Sequence, residues 1–132
     1  MSSIWQDLDM DRKISEVLNI RSHDPGHHFG APFMTPYQIA LRFQELYPRD
    51  FDRIGKPVGG EGTGQHHSLA QYLAKELSSR IRDRRITNVE GAFLGRLYKI
   101  DLSFKNGSQE IISSTNQSWD LSMFRLMEEP AS

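Results

Sequence analysis

Tyr98-Lys-Ile-Asp-Leu-Ser-Phe-Lys-Asn-Gly107 is the stretch that decides the fold. Tyr98, Ile100, Leu102 and Phe104 alternate with Lys99, Asp101, Ser103 and Lys105. That period of two belongs to a strand with one buried face. Asn106-Gly107 then signals a hairpin, because both residues tolerate the positive φ that tight inter-strand turns demand. Ser108 to Ser114 is the expected return strand. Val89, Ala92 and Leu94 supply a strand before the hairpin, and Trp119 to Leu126 a third strand or a final helical turn.

Upstream of Ile86 the apolar period is helical. Asp9 to Ile20 places Ile14, Val17 and Leu18 on one side, with Trp5 and Leu8 extending that face. Residues 22–34 hold two prolines, two glycines and three histidines, the composition of a loop. Thr35-Pro-Tyr-Gln38 then opens a helix with a capping box and a proline at the first helical position. Met34 and Ile39 occupy the hydrophobic-staple positions, and Ile39, Phe43, Leu46 and Tyr47 continue the helical spacing. Pro48 breaks it, and Phe51 and Ile54 can add a turn. A last helix, capped by Ser68 and running to Asp83, carries Leu69, Leu73, Leu77 and Ile81 as an i, i+4 stripe. Three helices followed by a hairpin or small antiparallel sheet is an α+β fold, one domain over residues 1–132, with residues 1–8 and 128–132 expected to be loose.

Composition limits the functional classes. The 132 residues carry a formal net charge of −1 and no cysteine. Thiolate chemistry, disulfides and cysteine zinc sites are therefore excluded. With neither a signal-peptide pattern nor a long apolar run, the expectation is a cytoplasmic protein without a membrane span. Charge is uneven: Ser68 to Lys105 holds eight Lys/Arg against four Asp/Glu.

Half of the glycines fall in Gly55-Lys-Pro-Val-Gly-Gly-Glu-Gly-Thr-Gly64. Glycine-rich backbone feeding a helix N-terminus suits an anion, with Lys56, Gly60, Gly62 and Gly64 as candidate contacts. Gly59 and Gly64 have P-loop spacing, but Gln65 and His66 stand where a P-loop needs Lys and Ser/Thr, and the preceding element is helical. The plainer reading is an interhelical connection. His23, His27, His28, His66 and His67 are metal-ligand types without a metal motif's spacing, so loop histidines are the favoured reading and no metal or cofactor is expected. Ser68 beside His66 and His67 lacks a nucleophile elbow. Glu90, Lys99, Asp101 and Glu110 read as alternating charges on the wet face of a hairpin. The balance leans against an enzyme.

The Ser68–Asp83 helix is the strongest functional feature. Its polar face offers Gln71, Lys75, Ser78 and Arg82, groups that read base edges or grip phosphates. Arg80, Arg84 and Arg85 extend the basic character past the helix end, and Arg96, Lys99 and Lys105 lie on the β segment. Helices followed by a basic hairpin give the broad pattern of a winged helix. The expected function is non-catalytic nucleic-acid binding, DNA before RNA. The alternative is a protein-interaction module (adaptor, inhibitor or immunity-type accessory protein), with Trp119 to Phe124 as an anchor segment, although such a segment more often packs its element on the core, and a homo-oligomer compatible with either.

Overall fold

The computed structural model describes residues 3–21, 29–60, 68–98, 101–113 and 120–127. Among them five helices precede four strands: α1 Ile4–Asp7, α2 Met10–Val17, α3 Pro36–Leu46, α4 Pro48–Ile54, α5 Leu69–Arg82, β1 Val89–Leu94, β2 Ser103–Asn106, β3 Gln109–Ile112 and β4 Leu121–Leu126. The α+β order holds, with five helices in place of three. The start of the chain is not loose from Ile4 onward. Ser3 caps α1 through its side chain, and Trp5 and Leu8 are buried in the core. The indole N–H of Trp5 donates to Asp11 Oδ1 at 2.7 Å, and its ring meets Tyr72 edge-on, which ties the first turn to α5.

Both bonds of the α3 capping box form. Gln38 N–H donates to Thr35 Oγ1 at 3.3 Å, and Thr35 N–H donates to Gln38 Oε1 at 2.8 Å. Pro48 cannot continue α3, so it restarts the chain as the first residue of α4, which ends at Gly55 in the left-handed region (φ 73°). The buried residues Ile39, Ala40 and Phe43 of α3 join Ile14 and Val17 of α2 and Leu69, Leu73 and Leu77 of α5 in one core.

β1 pairs antiparallel with β4, Val89 opposite Leu126 and Leu94 opposite Leu121. On its other side β4 exchanges two backbone hydrogen bonds of 2.8 Å between Phe124 and Met34, which fixes the entry to α3. β2 and β3 form a separate two-stranded sheet, and its hairpin differs from the sequence expectation. Asn106 pairs with Gln109, so the loop is Gly107-Ser108. Gly107 has φ 61° and Ser108 does not have positive φ, the pattern of a turn with glycine at the first central position. Asn106 instead closes the ladder and donates from Nδ2 to Glu45 Oε2 of α3 at 3.0 Å. The strand also starts later than its alternation suggests. Tyr98 is fully exposed at φ 62°, Ile100 lies outside the described residues, and Leu102 and Phe104 pack against the core.

Candidate nucleic-acid interface

The two ends of α5 are built differently. At its start, the amides a helix leaves unpaired are already taken. Leu69 N–H donates to Pro57 O at 2.7 Å, Ala70 N–H to Val58 O at 3.0 Å, and Gln71 N–H to Ser68 Oγ at 3.0 Å. The described part of the glycine-rich stretch therefore brings carbonyl acceptors to the helix. Gly59 and Gly60 are needed for close approach. Both have positive φ (128° and 105°), and a Cβ on Gly60 would lie 2.6 Å from the carbonyl oxygen of Ile112. Gly60 is thus buried against β3, and the amides of Leu69, Ala70 and Gln71 already have acceptors within the protein. Lys56 is half-buried on this side. Gly62 and Gly64 lie outside the described residues, as do His23, His27, His28, His66 and His67. Among the described residues no group of three or more His, Cys, Asp or Glu can hold a metal ion.

At its end, α5 closes in a Schellman motif. Arg85 N–H donates to Arg80 O at 2.8 Å and Arg84 N–H to Ile81 O at 3.1 Å. The motif puts Arg84 in the left-handed region at φ 60°, a position where glycine is the usual residue. Asp83 and Ser79 organise the arginines on either side of it. Arg82 Nε donates to Asp83 Oδ1 at 3.1 Å, Arg85 Nη2 donates to Asp83 Oδ2 at 3.2 Å, and both guanidinium groups reach Ser79 Oγ at 3.4 Å. The hydrogen bond from Arg82 holds the Asp83 carboxyl below its usual range. Arg84 makes no such contact among the described residues, and its side chain stands in solvent.

The polar face of α5 is where its spacing places it. Gln71, Lys75, Ser78 and Arg82 are all exposed. The one acid within the helix, Glu76, turns toward Arg80 at 3.1 Å. Arg80 is buried, stacked 4.8 Å from the Trp5 ring, so it belongs to the core and not to the basic surface. Four exposed cations, Lys75, Arg82, Arg84 and Arg85, are left against one exposed carboxylate, Asp83. Arg96 follows β1 and pairs with Asp120. The β2–β3 hairpin leans on α3 through the stacked rings of Tyr37 and Phe104, 5.6 Å apart, and its strand β3 meets Gly60, just ahead of α5.

Two features were missed in the sequence. Arg42 lies on α3 with its Nε buried and without an acceptor among the described residues. Phe93, Leu97 and Tyr98 are 72%, 76% and 101% exposed. Phe124, taken from sequence as part of an anchor segment, is core at 2% exposure, and Trp119 lies outside the described residues. No helix among the described residues is long and apolar enough to cross a membrane. No family model, curated protein or solved structure matches the chain.

Proposed function

We propose that the protein is a non-catalytic, cytoplasmic nucleic-acid-binding domain that uses the outward face and C-terminal end of α5, with duplex DNA preferred over RNA. Gln71 and Ser78 face the bases, and Lys75, Arg82, Arg84 and Arg85 contact phosphates. A helix fits the major groove of B-form DNA and not the deep, narrow groove of A-form RNA. The observation that carries the reading is Arg84. A left-handed arginine is strained where glycine would be relaxed, and strain of this kind concentrates at functional positions. It sits between two arginines already oriented by Asp83 and Ser79.

Fluorescence anisotropy with duplex and single-stranded oligonucleotides across a salt series tests the proposal. Affinity should fall steeply with salt, and changing Arg82 and Arg84 together to Ala should lower the log–log slope by about two. Absence of binding at low salt and high micromolar protein sinks it.

A second reading, a protein-interaction module or homo-oligomer, draws on Phe93, Leu97 and Tyr98, large apolar side chains clustered in sequence and open to solvent. Light scattering of the purified chain, together with a pull-down in which Phe93 and Leu97 are changed to Ser, tests it. A monomer whose captured partners are unchanged by the substitutions removes this reading.

A further inference from the structure

A groove of about 410 Å³ runs between α3 and β2. From α3 it is lined by Gln38, Arg42 and Glu45, which share one face at i, i+4 and i+7. From β2 it is lined by Ser103, Phe104 and Lys105. Its donors outnumber its free acceptors. The guanidinium of Arg42 makes no hydrogen bond or ion pair among the described residues, and its Nε is buried without an acceptor. Gln38 spends its carbonyl oxygen on the Thr35 amide, which leaves its Nε2 donors unused. Glu45, the one acid in the wall, has one oxygen committed to Asn106.

The strand register adds two further donors. Asn106 and Gln109 close a two-residue loop, so in an antiparallel ladder the pairs at 106, 104 and 102 are the hydrogen-bonded ones. Ser113 N–H donating to Leu102 O at 2.8 Å agrees with that alternation. The intervening residues, Ser103 and Lys105, direct their backbone N–H and C=O groups away from β3, toward the edge of β2 that pairs with no other strand among the described residues. The lysine also adds a positive charge near that edge.

Arg42 is out of pattern in this molecule. Among the described residues three arginines are not fully exposed. Arg80 pairs with Glu76 and Arg125 with Glu90, while Arg42 has no carboxylate. A buried donor on a charged group without an acceptor is costly, because the desolvation of that group is not offset. Rotating the guanidinium so that its Nε–Nη edge faces the groove would present two parallel donors, the fork that holds carboxylate and phosphate groups.

We propose that this groove is a binding site for the oxyanion group, carboxylate or phosphate, of a small molecule. Arg42 grips the anion in bidentate fashion, and the amides of Ser103 and Lys105 and the Gln38 amide group complete the donor set. The volume falls in the range of small-molecule sites, so the oxyanion is carried on an organic body lying over Phe104. The site shares no residue with the α5 surface: it is built from α3 and β2.

The test is an NMR titration of the full chain with sodium phosphate and, separately, sodium acetate, against sodium chloride at matched ionic strength. The expected result is a saturable shift of the Arg42 Nε–Hε resonance and of the Ser103 and Lys105 amides with one of the two anions, with a Kd of about 1 mM or tighter. The tighter of the two identifies the oxyanion. Arg42→Lys, which keeps the charge and loses the fork, should weaken binding by about tenfold. Ser103→Pro, tolerable on that edge, removes one amide donor and should weaken it with the arginine in place. Changing Arg84 to Gly should leave the titration unaltered. No saturable shift with either anion up to about 50 mM, some fifty times that constant, overturns the proposal. So does a shift retained in both the Arg42 and the Ser103 variants.

Discussion

The start and the end of α5 invert what their residues advertise. The start is preceded by five glycines in ten residues and looks open. Yet its amides are occupied by Pro57 O, Val58 O and Ser68 Oγ, and Gly60 is pressed onto Ile112. The end lacks a glycine and looks like an ordinary basic terminus. There, Arg84 adopts the glycine-type conformation, flanked by Arg82 and Arg85 on a shared carboxylate. Glycine at the first end serves packing, and its absence at the second end keeps a charge in solvent. Flexibility in composition is thus a poor guide to which helix terminus is free to meet a ligand.

Gly60→Val should break the first half of this comparison most forcefully. Its Cβ has no room, and its φ of 105° suits only glycine, so a loss of about 2–4 kcal/mol is expected in chemical denaturation. A variant within about 0.5 kcal/mol of the parent would mean that the glycine loop is not packed on β3. Ser68→Ala removes the side-chain acceptor for the Gln71 amide and should destabilise by about 1 kcal/mol. An unchanged midpoint would show that the helix start is held by the Pro57 and Val58 carbonyls alone.

At the other end, Arg84→Gly is expected to act in opposite directions on two measurements. Stability should rise by up to about 1 kcal/mol, since the left-handed strain is relieved and partly offset by glycine's unfolded-state entropy. The salt slope of nucleic-acid binding should fall by about one phosphate contact. Lost stability on this change would remove the argument from strain. Asp83→Asn should raise nucleic-acid affinity by about threefold at low salt, because it frees Arg82 and Arg85 from a competing carboxylate.

The smallest effect concerns pH. Asp83 has its folded pKa lowered, chiefly by the Arg82 hydrogen bond. Its contribution to stability is therefore complete above the unfolded carboxyl value and disappears as pH falls through the lower folded value. The difference in melting temperature between the parent and the Asp83→Asn variant should narrow over that acid window. A difference that widens there would contradict the assigned bond.

The limits of the sequence are clearest on α5 itself. Leu69, Leu73, Leu77 and Ile81 form an i, i+4 stripe, but each such step turns about 40° past a full revolution, so by Ile81 the stripe has rotated by about 120°. The core keeps Leu69, Leu73 and Leu77, and Ile81 drifts to partial exposure. Arg80 rotates inward to take the next place, over Trp5. A strict 3.6 count marks Arg80 as facing the core, but nothing in one dimension supplies the Trp5 ring and Glu76 carboxylate that make burial of its charge tolerable. The outward face was legible for the complementary reason: Gln71, Lys75, Ser78 and Arg82 are polar at a spacing that keeps them together on one side.

Local chemistry by itself determined the α3 capping box, the Pro48 break, the Ser68 cap and the succession of helices by strands, because each depends on groups within a few residues of one another. The tertiary structure decided matters that join distant segments. The meeting of Pro57 and Val58 with the start of α5 closed one end of that helix. The docking of β2–β3 on α3 opened the groove beside Arg42. The pairing of β1 with β4 brought Arg96 to Asp120, 24 residues further along the chain. Each of these outcomes rests on which backbone donors and acceptors find partners across long stretches of sequence, a condition that residue type and spacing do not encode.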